Sequence, residues 1–208
     1  RAVMEHYADY REAMADGYRI FLPNLPQKMY HFTNYRYAIE AAFGFSMGGS
    51  DLWRLKHALS GGGALVDIGI YALQVTRYIT GEEPVDVTAV ETKTDRVKFA
   101  EVDETIAWQA RFPSGALSSC TASYNAVGMN RFSVHAEHGW FGLDPAFNYT
   151  GNHGRRSDGK EIALPAPDLF MAEMDDFARC ILDGSPSKVS GEEGMRDVRI
   201  MAAIYEAA

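Results

Sequence analysis

Residues 61–92 read GGGALVDIGIYALQVTRYITGEEPVDVTAVET, and along them the spacing of apolar residues changes from the helical to the extended period. Leu65, Ile68, Ala72, Val75 and Ile79 recur at three and four, which predicts a helix from about Ala64 to Ile79. The glycines Gly61 to Gly63 break the chain before it, and Gly81 with Pro84 stops it. From Val85 the period becomes two, as it does in strands.

Working outward toward the C-terminus, the alternation predicts strands near Val85–Thr92, Thr105–Phe112, Ala116–Tyr124, Arg131–Ala136 and Gly139–Leu143, with a further one at Glu161–Leu164. Short turns such as Pro113-Ser114-Gly115 make neighbouring strands antiparallel hairpin partners. The polar run NHGRRSDGK (152–160) reads as an exposed excursion, and helices close the chain at Leu169–Leu182 and from Glu192 onward. Toward the N-terminus, Tyr35–Met47 reads as a strand, and Asp51 is placed to cap a short helix. Met4–Asp16 has helical spacing, and Tyr18–Asn34, with two prolines, suits an irregular crossing. The expectation is an α+β fold over residues 35–208, an open and largely antiparallel sheet with helices packed on one face, preceded by an irregular remnant or linker over residues 1–34.

An apolar fraction of 47% in 208 residues fills a real core. A formal charge of -8 and a pI near 5.2 argue against nucleic acid and anionic membrane as partners. No run of about eighteen apolar residues spans a bilayer, and RAVMEHYADY has no signal-peptide pattern. The chain therefore reads as cytoplasmic, or periplasmic if an export signal once preceded Arg1. Starting at Arg1 and stopping within a helical pattern, it also reads as a fragment. Cys120 and Cys180 are expected to be buried thiols.

Asp67 and Tyr71 lie four apart on one helical face that Gln74 and Tyr78 extend, a row of carboxylate, phenol and amide. Such a row can bind sugar hydroxyls or move a proton, but by spacing alone it is the solvated side of an amphipathic helix. A helix is expected before Gly61-Gly62-Gly63, where a dinucleotide fingerprint needs a strand, and no other GxGxxG occurs. The six histidines form no HxxxH, the cysteines no CxxC, and no GxSxG elbow exists, so neither metal nor nucleophilic catalysis is expected.

The segment DLWRLKHALSGGGALVDIGIYALQVTRYITGEEP (51–84), followed by EVDETIAWQARFPSGALSSCTASYN, RFSVHAEHGWFGLDPAFNY and GEEGMRDVRIMAAIYEAA, resembles the second domain of the glucose-fructose oxidoreductase and inositol dehydrogenase family. The resemblance covers about three quarters of the chain. It implies an NAD- or NADP-dependent oxidoreductase of sugars or polyols, whose N-terminal Rossmann domain and Glu-Lys-Pro lysine are absent from these residues. By motif, it makes Asp67 and Tyr71 the catalytic pair. Arg54 and Gln74 become candidate substrate contacts, and Gly17-Tyr18-Arg19 resembles the GYR that follows the Rossmann domain. It also implies a homo-oligomer through the open sheet face and no tight cofactor on this chain alone. The competing expectation is a catalytically incomplete relative that oligomerises or binds sugar.

Overall fold

A computed structural model describes residues 38–49, 52–163 and 168–208. The expected N-terminal helix, the proline-containing crossing, the 1–34 segment and the Asp51 cap lie outside them.

Strand β1 (Ala38–Ser46) turns Ile39 and Ala41 into the core and Glu40 outward. A 3-10 turn at Trp53–Leu55 leads to the one-turn helix α1 (His57–Ser60), which ends on Gly61 in the left-handed conformation (φ 78°). The expected continuous helix is instead a π turn, Leu65–Gly69, running into α2 (Ile70–Thr80). The start of this turn is held by a residue far away in sequence. Asp103, from the loop before β3, accepts hydrogen bonds from the amides of Gly63 and Leu65 at 2.7 and 2.8 Å, and its own carbonyl takes the Ala64 amide. The carboxylate thus satisfies orphan donors of the helix start and lies at the favourable end of its dipole. A Cβ on Gly63 would stand 2.1 Å from the Asp103 carbonyl oxygen, so the glycine run serves close backbone packing.

The strands β2 (Asp86–Thr92), β3 (Thr105–Arg111), β4 (Leu117–Ser123), β5 (Asn125–Ala136), β6 (Gly139–Leu143), β7 (His153–Arg156) and β8 (Glu161–Ala163) join β1 in one sheet of order β2-β3-β4-β1-β5-β6-β7-β8. Every pairing is antiparallel except one: β1 lies parallel to β4. The expected β4–β5 hairpin is therefore opened by β1, which separates two strands adjacent in sequence. The run expected as an exposed excursion contributes β7 instead. Gly154 permits it, because a Cβ there would lie 2.0 Å from the Gly142 carbonyl oxygen on β6.

On the inner face Ile106, Trp108, Ala110, Cys120, Ala122, Phe132 and Val134 pack beneath α2 and beneath α4 (Gly191–Ala207), which buries Met201 and Ile204. Each large apolar side chain so buried contributes about 1.5–3 kcal/mol relative to exposure. Helix α3 (Leu169–Asp183) is different. It buries none of its residues, and Phe170, Met174, Phe177 and Ile181 form an outward apolar stripe. The stretch His57–Thr80 is long and apolar enough to cross a membrane by composition, but half of its most apolar window is buried within the domain, as in a core helix. Of the two cysteines, Cys120 is buried and burial pushes its thiol up to about 12. Cys180 departs from expectation: it is only partly buried, on α3, with its thiol toward the Pro186 carbonyl.

Candidate active site

The π turn carries Asp67, and Tyr71 follows four residues later in the first turn of α2. From the 3-10 turn, Arg54 places its Nε 3.2 Å from each Asp67 carboxylate oxygen. Its guanidinium also stacks 4.7 Å above the Trp53 ring. Both members of this pair are part exposed, 40% and 27% by side chain, so the carboxylate is oriented by an arginine while still open to a ligand. The structure therefore joins Arg54, Asp67 and Tyr71 in one cluster.

Tyr71 meets the Phe43 ring edge-on at 5.4 Å and lies 5.9 Å from Phe147. Together with Asn148, Tyr149 and Thr150 these rings line an open hollow of about 390 Å³. Burial first, then the neighbouring Tyr149 and Asp67, holds the Tyr71 phenol above its ordinary range. It is thus a proton-bearing hydroxyl at neutral pH. Tyr124, fully buried behind Asp67, is held high by burial first and then by the Asp67 carboxylate.

Gln74 goes elsewhere. Its amide donates 2.7 Å to Asp197 on α4, next to the Arg77 ion cluster at the far end of α2. The row that spacing placed on one face is divided, with Asp67 paired to Arg54, Tyr71 at the hollow and Gln74 tied to a neighbouring helix.

Several residues of the hollow carried no sequence signal. Phe43 comes from β1 and Phe147 to Thr150 from the β6–β7 loop, and only the tertiary fold brings them to Tyr71. Asp103 reaches the helix start from about forty residues away. It also bears on cofactor binding. A dinucleotide's pyrophosphate uses the bare amides of a glycine-rich helix start, and here the amides of Gly63 and Leu65 are already taken by a carboxylate. This glycine-rich helix start therefore does not form a dinucleotide cradle. Nor do the described residues contain a group of three His, Cys, Asp or Glu side chains placed to hold a metal, and His135 stacks on Trp140 instead.

Comparison with known proteins gives four matches. The domain described as GFO/IDH/MocA C-terminal domain matches residues 36–142. A D-xylose 1-dehydrogenase [NADP(+)] of Haloarcula marismortui is 34% identical over 163 residues, covering 76% of this chain and 45% of that protein. A D-xylose 1-dehydrogenase (NADP(+)) 2 of Haloferax volcanii is 28% identical over 166 residues, 77% of this chain and 50% of the other. Among solved structures, the aldose-aldose oxidoreductase of Caulobacter crescentus complexed with glycerol superposes with a TM-score of 0.78 at 38% identity, over 98% of this chain and 58% of its own. The chain spans about half the length of the curated relatives it matches.

Proposed function

Because the chain belongs to the GFO/IDH/MocA family through the C-terminal domain that its residues 36–142 match, we propose that it is the substrate-side domain of an NAD(P)-dependent oxidoreductase of sugars or polyols, with an aldose as substrate. The observation that carries this reading is the Arg54–Asp67 pair set beside the protonated Tyr71, whose ring lines an aromatic hollow.

Oxidising a sugar alcohol removes a hydride from carbon and a proton from its hydroxyl. The described residues concern only the sugar and the proton. Asp67, fixed by Arg54, accepts a hydrogen bond from the reacting hydroxyl and takes its proton as charge develops. Tyr71, kept as a phenol, donates to a neighbouring sugar oxygen and fixes its orientation. The aromatic walls exclude water from one side of the ring. NADP is the cofactor to test first, since both D-xylose dehydrogenase relatives carry it in their names.

The outer sheet face supports a second part of the reading, a homo-oligomer. Glu40, Ala42, Ser119, Thr121, Arg131 and Ser133 line a shallow depression of about 500 Å³ there. Cross-strand register sets Glu40 opposite Ser133 and Ala42 opposite Arg131, so small residues flank one acid and one base. A second copy laid antiparallel across this face brings Arg131 toward Glu40 of its mate. Residence in the cytoplasm belongs to the same reading and is supported by two cysteines that form no disulfide.

The test is NADP+ reduction by the gene product with D-xylose, followed at the nicotinamide absorbance, for wild type and Tyr71→Phe. Loss of the phenol is expected to lower kcat about a hundredfold. It should also remove the alkaline limb of the pH profile, which the raised Tyr71 places above the ordinary tyrosine value of ~10. A Tyr71→Phe enzyme with unchanged kcat and the same alkaline limb would take Tyr71 out of the chemistry. Light scattering decides the oligomer: a multiple of the subunit mass is expected, and Ala42→Arg should reduce it to the monomer, whereas a monomeric wild type removes this part of the proposal.

A further inference from the structure

The β6–β7 loop, residues 144–152, is pinned more firmly than a surface connection requires. Asn130 on β5 accepts from the amides of Ala146 and Phe147 at 3.0 and 2.6 Å through its Oδ1, and its Nδ2 donates to Asn148 Oδ1 at 2.7 Å. Asn152 closes the other side, accepting from the Asn148 amide at 2.9 Å and donating to the Asn148 carbonyl at 2.8 Å. Five side-chain hydrogen bonds therefore hold about three residues in place.

What the clasp presents is an aromatic ring facing outward. Tyr149 is 68% exposed, at the mouth of the hollow that Tyr71 lines, and its other contact is the Phe170 ring at 5.3 Å. Phe147, one step inside, serves the core through Phe132 and Phe43. Tyr149 stands outside that core cluster, packed against the exposed Phe170, and an ordered loop that holds an exposed ring at the mouth of a hollow is built for a ligand. Its neighbours at the rim are Asn148 and Thr150, which offer an amide and a hydroxyl, and no Lys or Arg lines the hollow among the described residues. That chemistry suits a neutral ring with a carbon face on one side and hydroxyls at its edge.

Resting on the function proposed above, we infer that Tyr149 is the sugar-selecting residue of this site, its ring packed against the carbon face of an unphosphorylated monosaccharide, and that Asn130 is the positioning residue that sets it there. Asn130 acts through the loop and touches no substrate. Tyr149 acts on binding more than on the chemical step, since its contact with the ring is the same before and during reaction.

The experiment uses the gene product with NADP+ and either D-xylose or D-glucose, together with saturation-transfer NMR of the sugar protons. For Tyr149→Ala, KM for the preferred sugar should rise about tenfold with kcat within about twofold, as the loss of one aromatic contact implies. Tyr149→Phe should keep the wild-type KM, and Asn130→Ala should raise KM and narrow the preference between the two sugars. An unchanged KM in Tyr149→Ala, or an equal rise in Tyr149→Phe, overturns the inference while leaving the oxidoreductase reading intact. A wild-type protein that neither turns over nor gives saturation transfer with either sugar overturns both.

Discussion

Helix α2 and its π turn carry an arginine–aspartate pair at each end, and the two pairs are built to opposite specifications. At the far end Arg77 is 7% exposed and lies 2.5 Å from Asp197, 2.8 Å from Glu193 and 2.6 Å from Glu83, while Gln74 binds the other Asp197 oxygen. Burial opposes the Arg77 charge, and Glu83, Asp197 and Glu193 more than offset it, holding the guanidinium above its ordinary range. At the near end Arg54 and Asp67 are looser, wetter and set beside the phenol of Tyr71. A charge pair whose lone pairs and protons are all spoken for can only hold the fold. One with spare capacity can meet a substrate.

Removing one partner from each pair should separate these roles. Arg77→Met leaves three carboxylates around a neutral side chain and should cost about 3–5 kcal/mol of stability, read by urea unfolding. A loss under about 1 kcal/mol would mean that the far cluster is not the structural pair it resembles. Asp67→Asn should lower kcat/KM on the order of a hundredfold to a thousandfold with little change in melting temperature. An equally active variant would make the near pair structural too.

Glu104 provides a control away from both ends. It is buried and accepts hydrogen bonds from Thr94, Asp95 and Asn125. Burial works to raise its pKa, but these bonds outweigh it and the carboxyl is held below its ordinary range. Its contribution is therefore complete above the unfolded value of ~4.3 and is lost as pH falls through the lower folded value. Glu104→Gln should lose about 1–2 kcal/mol at neutral pH and flatten the acid limb of stability; an unaltered acid limb would exclude Glu104 as its source. The smallest effect belongs to the arginine of the open pair. Arg54→Gln should change stability by less than about 1 kcal/mol, as for exposed ion pairs, while raising KM severalfold. A large fall in stability would erase the contrast between the two ends.

Alternation made β3 legible in the sequence, because Ile106, Trp108 and Ala110 go inward while Thr105, Ala107 and Gln109 do not. Strands β2, β3, β4 and β6, the second half of β5 and the two closing helices were readable from local periodicity, whereas Asn125–Asn130 of β5 was not. The partners of β1 were not, since no local pattern encodes pairing across some eighty residues. Strand β7 hid behind arginines and a glycine whose missing side chain is the very thing that admits it. What holds the start of the π turn was hidden too, because Asp103 reaches it from another loop. At the candidate site, a motif within one helix pointed to Asp67 and Tyr71. Phe43, Asn130 and Tyr149 could not be read, since only the assembled sheet makes them neighbours.

The parallel pairing of β1 with β4 also bears on when this sheet can form. Ala38 emerges from the ribosome long before its partner Leu117, and both sides of β1 are completed only when β5 follows. At ordinary rates of synthesis that delay is roughly 4–16 s. During that time Ala38–Ser46, with Ile39, Phe43 and Phe45, is an apolar segment without its sheet partners. The strand at the middle of the finished sheet is among the first of its elements to be made, and the chain must keep it from other partners until the rest arrives.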